Sequence, residues 1–145
     1  MNCLPDTSAM VKRYFVEGGS ERVLEVFFTP GMTVYAGQLV RTELASALGR
    51  RVREGSLSLH ESDVLMRTFL SHERRVYTPL ALTSRVQRRA ESLLFRHALR
   101  AADAIHVANA LELLALLSEP LIFLTADRRQ ADAAEAEGLT VEFVG

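Results

Sequence analysis

The sequence predicts one α/β domain in which a mostly parallel central sheet is covered by helices on both faces. Three observations support this fold class. Short apolar segments typical of strands alternate with longer segments whose apolar residues recur at helical spacing. The run Leu121-Ile122-Phe123-Leu124 is continuously apolar, as in parallel strands that are buried on both faces. The 145 residues contain no linker or internal repeat, so we expect a single domain over 1–145.

The first half of the chain starts with a predicted strand over 2–5. Asp6-Thr7-Ser8 follows it directly and is typical of a helix N-terminus, and Gly18-Gly19 is expected to end that helix. The next predicted elements are a helix over 20–28, a strand over 32–36, a helix over 38–53 and a helix over 58–75. Ser58 and Glu61 are spaced as a capping box at the start of the last of these helices.

The second half continues the alternation of strands and helices. The predicted elements are a brief strand over 76–80, helices over 83–98 and 100–117, a strand over 121–125, a helix over 127–137 and a strand over 140–144. Parallel strands need crossover connections of this kind, which are usually helices.

The composition excludes several classes of protein. With 48% hydrophobic and 24% charged residues, the chain is neither disordered nor fibrous. The single cysteine, Cys3, excludes an intramolecular disulfide, and we expect it to be buried rather than reactive. The richest apolar stretch, over 111–124, contains two glutamates and a proline, so no membrane span is expected. Asp6 interrupts the segment where a secretion signal would be apolar, and a cytoplasmic location is therefore expected.

Charge is distributed unevenly along the chain. The formal net charge is −1, yet residues 41–100 hold twelve arginines against six acidic residues, whereas residues 101–145 hold two against eight. A basic middle segment suits a polyanion, and an acidic end suits cations or a basic partner. The candidate phosphate contacts are Arg50, Arg51, Arg53, Arg85, Arg88 and Arg89. The alternative is that these arginines form ordinary solvated helix faces.

Asp6 and Asp127 each follow an apolar strand and precede a predicted helix. In open parallel sheets, ligands bind outside the carboxyl ends of the strands, so both carboxylates are placed where a site is expected. Each could equally be a helix N-cap, which stabilises a helix by about 1 kcal/mol and needs no further role.

Asp103 lies among small and apolar residues in the segment Ala101-Ala102-Asp103-Ala104-Ile105, which predicts close packing. A carboxylate there is largely desolvated and needs a partner, which is either a metal or a neighbour such as Arg100 or His106. Glu43, in another predicted helix, means little by itself. Taken together with Asp6 and Asp127, the four acids predict a site for Mg²⁺ or Mn²⁺, because clustered carboxylates repel one another unless a divalent cation neutralises them. Such sites hydrolyse phosphodiesters with a metal-activated water.

Each acid lies in a distinctive block of sequence. The blocks are Asp6-Thr7-Ser8-Ala9-Met10-Val11-Lys12, Thr42-Glu43-Leu44-Ala45-Ser46-Ala47-Leu48, Leu99-Arg100-Ala101-Ala102-Asp103-Ala104-Ile105-His106-Val107-Ala108 and Leu124-Thr125-Ala126-Asp127-Arg128-Arg129. In this order, and over nearly the whole chain, they resemble the motifs of PIN-domain ribonucleases, most closely those of VapC-type toxins of toxin–antitoxin pairs.

The resemblance implies a parallel-sheet fold, endonucleolytic cleavage of RNA and a bound Mg²⁺ or Mn²⁺. It places the catalytic and metal-binding roles on Asp6, Glu43, Asp103 and Asp127, with Ser8 and Thr125 as supporting hydroxyls. It also implies a VapB-type antitoxin as partner. Pro5 departs from the family, which usually has an apolar strand residue there, and because proline cannot donate to the ladder we expect a bulge that shifts Asp6.

Assembly and the histidines are less constrained. A homodimer is expected because the apolar residues of two segments exceed what one helix face buries, although core burial is the alternative. These residues are Phe27, Phe28, Leu113, Leu114, Leu116 and Leu117. The histidines, at 60, 72, 97 and 106, fall at no metal-ligand spacing, and His106 is expected to be a packed or surface helix residue.

Two other functions remain open. A phosphatase of the haloacid-dehalogenase type also has an aspartate after its first strand. That chemistry needs a second aspartate two residues later, where this chain has Ser8, and the only lysine, Lys12, is too near in sequence to be the distant charge partner. The other alternative is a non-catalytic PIN scaffold that binds RNA or a protein, which a displaced Asp6 would favour.

Overall fold

A five-stranded sheet forms the centre of the molecule in a computed structural model that describes residues 1–145. The strands are β1 Asn2–Pro5, β2 Thr33–Gly37, β3 Thr78–Leu80, β4 Leu121–Thr125 and β5 Thr140–Phe143. They lie in the order β3-β2-β1-β4-β5, and every pair is parallel. The predicted fold class is confirmed, with a sheet that is entirely rather than mostly parallel.

Seven helices cover the sheet: α1 Thr7–Met10, α2 Ser20–Phe27, α3 Gln38–Arg53, α4 Leu59–Arg75, α5 Ser84–Arg96, α6 Ala101–Leu116 and α7 Arg128–Ala136. The capping box predicted at Ser58 and Glu61 is present at the start of α4. None of the helices has both the length and the apolar character that crossing a bilayer requires.

Two hydrophobic cores lie on the two faces of the sheet. Successive side chains of a strand point to opposite faces, and accordingly Cys3 and Leu124 belong to one core while Leu4 and Phe123 belong to the other. The first core packs against α2, α3 and α4, and the second against α5, α6 and α7. Cys3 is fully buried, as expected.

The helix that follows β1 is shorter than predicted. It ends at Met10 and continues only as a 3₁₀ turn over Val11–Arg13, so the prediction that it extends to Gly18 is wrong. The backbone N–H groups of Tyr14 and Phe15 both donate to the carbonyl of Val11, which tightens the last turn and ends the helix there.

The predicted bulge at Pro5 is absent. Pro5 pairs in register with Leu124 of β4, and the backbone N–H of Asp6 donates to the Leu124 carbonyl at 2.9 Å. Backbone N–H groups of a strand alternate in direction, so the nitrogen of Pro5 faces β2, where the pairing with β1 extends only to Cys3 and Val34. The missing donor of Pro5 therefore interrupts no ladder, and Asp6 keeps its position at the end of β1.

The strand order creates a crevice at the centre of the sheet. From β1 the chain proceeds to β2 and β3 on one side and then crosses to β4 and β5 on the other. The loops that leave the carboxyl ends of β1 and β4 consequently diverge, and open α/β sheets bind ligands at such a point. Asp6 follows β1 directly and Asp127 follows β4 by two residues.

Most of the apolar residues assigned to a dimer contact belong to the cores. Phe27 and Leu113 are buried, and Leu114 and Leu117 are partly buried against the second core. Phe28 and Leu116 are exposed, at 68% and 86%. The surplus apolar surface is therefore smaller than the sequence suggested, and the homodimer stays a prediction.

Candidate active site

A cavity of about 570 Å³ opens at the carboxyl ends of β1 and β4. The four acids singled out from the sequence all line it, although they come from four different elements. Asp6 precedes α1, Glu43 lies in α3, Asp103 lies in the first turn of α6 and Asp127 precedes α7. Only three of the sixteen lining residues are hydrophobic, so the cavity suits a charged ligand.

Asp6 is held by short hydrogen bonds at the floor of the cavity. Its side chain is the N-cap of α1, where Oδ1 accepts from the backbone N–H of Ala9 at 2.9 Å. The Ser8 hydroxyl lies 2.7 and 2.8 Å from the two carboxylate oxygens, and the Thr125 hydroxyl donates to Oδ2 at 3.0 Å. Burial raises the pKa of Asp6, whereas the nearby His106 and these hydrogen bonds act in the opposite direction. The structure thus places both supporting hydroxyls, Ser8 and Thr125, on the same carboxylate.

Glu43 is held through one of its two oxygens. The Thr7 hydroxyl donates to Oε1 at 2.8 Å, and Nε2 of His106 lies 2.5 Å from the same atom. Burial alone would raise the pKa of Glu43, but the hydrogen bond and charge of His106 and the Thr7 hydroxyl keep it below its ordinary value. The other oxygen, Oε2, accepts no hydrogen bond from the protein.

Asp103 has no cationic partner. It forms no ion pair with Arg100, and His106 pairs with Glu43 instead. The pKa of Asp103 is raised by burial and by the charges of Asp127 and Glu43, while the backbone N–H of Arg100 and the charge of His106 oppose this shift. The structural alternative of an ion pair at Asp103 is therefore not realised.

Asp127 combines a cap with a place in the cavity. It is the N-cap of α7, where Oδ1 accepts from the backbone N–H groups of Arg129 at 2.9 Å and Gln130 at 3.3 Å. Oδ2 accepts no hydrogen bond. Asp6 and Asp127 are thus helix N-caps, as one interpretation of the sequence predicted. That interpretation is incomplete, because both carboxylates also line the cavity.

Carboxylate oxygens are the donors that Mg²⁺ and Mn²⁺ prefer, so the donor set of the cavity fits such an ion in kind. Free oxygens are available on Glu43 and Asp127. In the present side-chain conformations, however, no three acidic, histidine or cysteine side chains approach one point closely enough to hold a metal ion.

Basic residues line the cavity beside the acids. Lys12 is buried, and its Nζ donates to the Gly18 carbonyl at 2.5 Å and lies 3.3 Å from Oε1 of Glu17. Arg51 pairs with the other oxygen of Glu17 at 3.2 Å. Arg50 and Arg100 also line the cavity, form no ion pair and are exposed. The cavity therefore has an acidic floor with two unpaired guanidinium groups, which suits a polyanion bound through cations.

The other predicted arginines lie elsewhere. Arg85 and Arg89 of α5 both pair with Glu112 of α6, at 2.8 and 2.5 Å. Arg88, also in α5, is exposed. Arg53 lines a groove between α3 and α4. Of the six predicted arginines, only Arg50 and Arg51 line the cavity that holds the acids. The contact with phosphate stays a prediction for all six.

Sequence reasoning missed three polar residues of the site. Thr7 and His106 contact Glu43, and the buried Gln130 joins Thr125 to the backbone of Asp103. His106 was expected to be either a packed or a surface helix residue, and the structure shows that it is packed and buried. Glu43 lies in α3 and His106 in α6, four elements later in the chain. No sequence spacing relates the two residues, because their side chains meet only in the folded protein.

Two curated ribonucleases of Mycobacterium tuberculosis, VapC45 and VapC49, are each 31% identical to the chain over 139 residues, which is 94% of this chain and 91% of theirs. The chain belongs to the VapC ribonuclease family. The resemblance noted from the sequence is thereby confirmed. No protein-family model matches this VapC-family chain.

Solved structures show the same fold. The first is a chain in VapBC2 from Rickettsia felis bound to a DNA fragment from its promoter, with a TM-score of 0.71, 12% identity and coverage of 99% of this chain and 98% of that one. FitAcB from Neisseria gonorrhoeae gives a TM-score of 0.68 at 17% identity, over 96% and 95% of the two chains. VapBC-1 from nontypeable Haemophilus influenzae gives 0.65 at 13% identity, over 99% and 98%. The VapC-family chain thus shares its fold with these proteins along its entire length.

Proposed function

We propose that this protein is a Mg²⁺- or Mn²⁺-dependent endoribonuclease and the toxin of a toxin–antitoxin pair. The observation that carries the proposal is the convergence of four carboxylates from four elements on one cavity, where the loops that leave β1 and β4 diverge. The relatives named VapC ribonucleases support the same reaction.

The acids Asp6, Glu43, Asp103 and Asp127 would hold the metal. When bound, the ion supplies orientation of the phosphate, an activated water and stabilisation of charge on the leaving oxygen. The protein's own part is to fix the donors. Ser8 and Thr125 orient Asp6. Hydrogen bonds of this kind stop the carboxylates from rotating out of the site.

The substrate proposed is single-stranded or looped RNA. Arg50 on α3 and Arg100 at the N-terminus of α6 are unpaired and line the cavity, and each can contact a phosphate without breaking an existing ion pair. Arg51 would have to leave Glu17 to do the same. Bases in unpaired regions are the usual target of sequence-specific RNA recognition.

The partner proposed is a VapB-type antitoxin. Structures of VapBC2 and VapBC-1 share this fold, which supports such a pairing. An antitoxin segment would cover the acidic cavity, and an arginine in that segment could neutralise the carboxylates in place of the metal. We also propose that the protein forms a homodimer.

A non-catalytic scaffold is the second candidate function. The observation in its favour is that no three ligating side chains converge in the present conformations. A scaffold need not bind metal, so titration of Mn²⁺ into the protein separates the two candidates. The phosphatase is not proposed, because the chain has Ser8 where that chemistry needs a second acid and its relatives are ribonucleases.

The proposal is tested by replacing Asp6 with asparagine. Asp6→Asn keeps the size of the side chain and removes a metal-binding charge, and we expect RNA cleavage to fall by about 10²-fold or more. The matched control is Asp132→Asn, the same change at an exposed position of α7 outside the cavity. Equal activities of the two variants in a gel assay with Mg²⁺ would contradict the proposal.

A further inference from the structure

His106 is a polar residue in the most apolar part of α6. Its neighbours Ala104, Val107, Ala108 and Ala110 are fully buried, and His106 itself is only 3% exposed. A buried imidazole without a partner is costly, so its hydrogen bonds determine what the residue does there.

The partner of His106 is on the other side of the sheet. Helix α6 packs on the second core and α3 on the first, yet Nε2 of His106 reaches Oε1 of Glu43 at 2.5 Å. Because a carboxylate oxygen only accepts, Nε2 carries the hydrogen. The contact bridges helices on opposite faces of the sheet at the crevice where the loops that leave β1 and β4 diverge.

The ring lies close to the end of β2. A Cβ added at Gly37, which ends β2, would lie 4.0 Å from Nδ1 of His106, an ordinary contact, and 3.3 Å from Nδ2 of Asn109, a tight one. This part of α6 is therefore packed closely against the end of β2.

Both donors act on one atom. Thr7 also donates to Oε1 of Glu43, at 2.8 Å, and its hydroxyl oxygen lies 3.4 Å from Nε2 of His106. With two donors on Oε1, the remaining oxygen Oε2 is the one left for another ligand. The two contacts therefore hold the Glu43 carboxylate through Oε1.

We propose that His106, assisted by Thr7, is a positioning residue that holds the Glu43 carboxylate in the orientation in which it would bind a metal ion in the cavity. The inference rests on the proposed function. It assigns the buried histidine to the machinery of the site rather than to helix packing alone.

The test measures Mn²⁺ affinity directly, by paramagnetic resonance of the free ion, with no RNA present. His106→Leu removes the donor and keeps an apolar filler, and we expect the affinity to fall about 10- to 100-fold. His106→Gln keeps an N–H donor on a shorter side chain and should recover part of the loss. The matched control is His97→Leu, which removes a similar pair, from Nε2 to Glu137 at 2.8 Å, outside the cavity. It should bind Mn²⁺ as the wild type does.

Three results would overturn the inference. Wild-type affinity in a folded His106→Leu variant shows that the histidine is structural only. If that variant does not fold by circular dichroism, His106→Gln takes its place, because its shorter side chain should hold Glu43 less closely, and wild-type affinity in that variant overturns the inference equally. Absence of Mn²⁺ binding by the wild-type protein overturns the proposed function, and the inference fails with it. The first two results overturn only the inference, because the wild-type protein still binds Mn²⁺.

Discussion

Asp6 and Asp103 line the same cavity but differ in their polar neighbours. Burial raises the pKa of both carboxyls, and at Asp6 the hydrogen bonds from Ser8 and Thr125 oppose this shift. At Asp103 the charges of Asp127 and Glu43 add to the effect of burial. A carboxylate with acidic neighbours and no cation makes the metal-free protein less stable, and this gives a test of the site that needs no substrate.

Asp103→Asn is therefore expected to raise the melting temperature of the metal-free protein. A carboxyl whose pKa is higher in the folded than in the unfolded state costs stability as the pH rises from its unfolded value toward the folded one. The gain in the variant should be absent at about pH 4 and present at pH 7. Asp103 is half-buried and solvent screens its charge, so we expect a gain of at most about 3 °C in EDTA. Mn²⁺ should stabilise the variant less than the wild type.

Melting curves in EDTA and in Mn²⁺, at both pH values, measure these effects. The control is Asp132→Asn, which removes an exposed carboxylate from α7 and should leave both quantities unchanged. A variant at Asp103 that melts lower in EDTA and gains as much from Mn²⁺ as the wild type would make Asp103 a structural residue.

Single residues differ in how far the sequence predicts their place. Asp6 and Asp127 were predictable because each ends a strand, and the carboxyl ends of parallel strands share an edge. His106 and Gln130 were not, because their partners, Glu43 and Thr125, lie on other elements and no periodicity relates the pairs.

Helix α3 contributes one face to the cavity and another face to the hydrophobic core. Glu43, Ala47, Arg50 and Arg51 lie on one face of the helix at spacings of three and four residues, and all line the cavity. Val40, Leu44 and Leu48 form the neighbouring, buried face. The sequence predicts which residues share a face. It could not predict that Arg50 and Arg51 of α3 line the cavity with the acids while Arg85 and Arg89 of α5 pair with Glu112. That depends on how each helix packs on the sheet.

Arg50→Gln is expected to weaken RNA binding and to lower its salt dependence. Each phosphate contact adds about 0.7 to the slope of log affinity against log salt for a single strand, so the slope should decrease by about that amount. Fluorescence anisotropy with a labelled single-stranded RNA in EDTA measures both. Arg88→Gln, the same change on an exposed face of α5 outside the cavity, is the control. Equal slopes for the two variants would remove Arg50 from the RNA-binding surface.

At the scale of the whole molecule, the position of the site follows from the order of the strands. Alternating strands and helices predicted a parallel sheet, but the order β3-β2-β1-β4-β5 depends on which side each crossover takes, and the local pattern does not encode that. Pro5 illustrates the same limit. Proline appeared disruptive as long as its strand was assumed to pair fully on both sides, and it is harmless because the pairing of β1 with β2 ends at Cys3.

Assembly is the second question at this scale. We expect a homodimer in solution, with a mass twice the 16.1 kDa of the chain. Exposed apolar side chains such as Phe28 and Leu116 are candidates for the contact, since burial of that surface stabilises an association. Light scattering over a range of concentrations measures the mass, and a monomer at every concentration would contradict the prediction.

Cleavage of a defined RNA, with analysis of the new ends, tests the central claim most directly. A metal-activated water that attacks phosphorus leaves a phosphate monoester and a hydroxyl, whereas attack by the neighbouring 2′-hydroxyl leaves a 2′,3′-cyclic phosphate. We predict cuts within the strand that require Mg²⁺ or Mn²⁺, stop in EDTA and leave no cyclic phosphate. Full activity in EDTA, or cyclic phosphate ends, would contradict the assignment of the four carboxylates to a catalytic metal site.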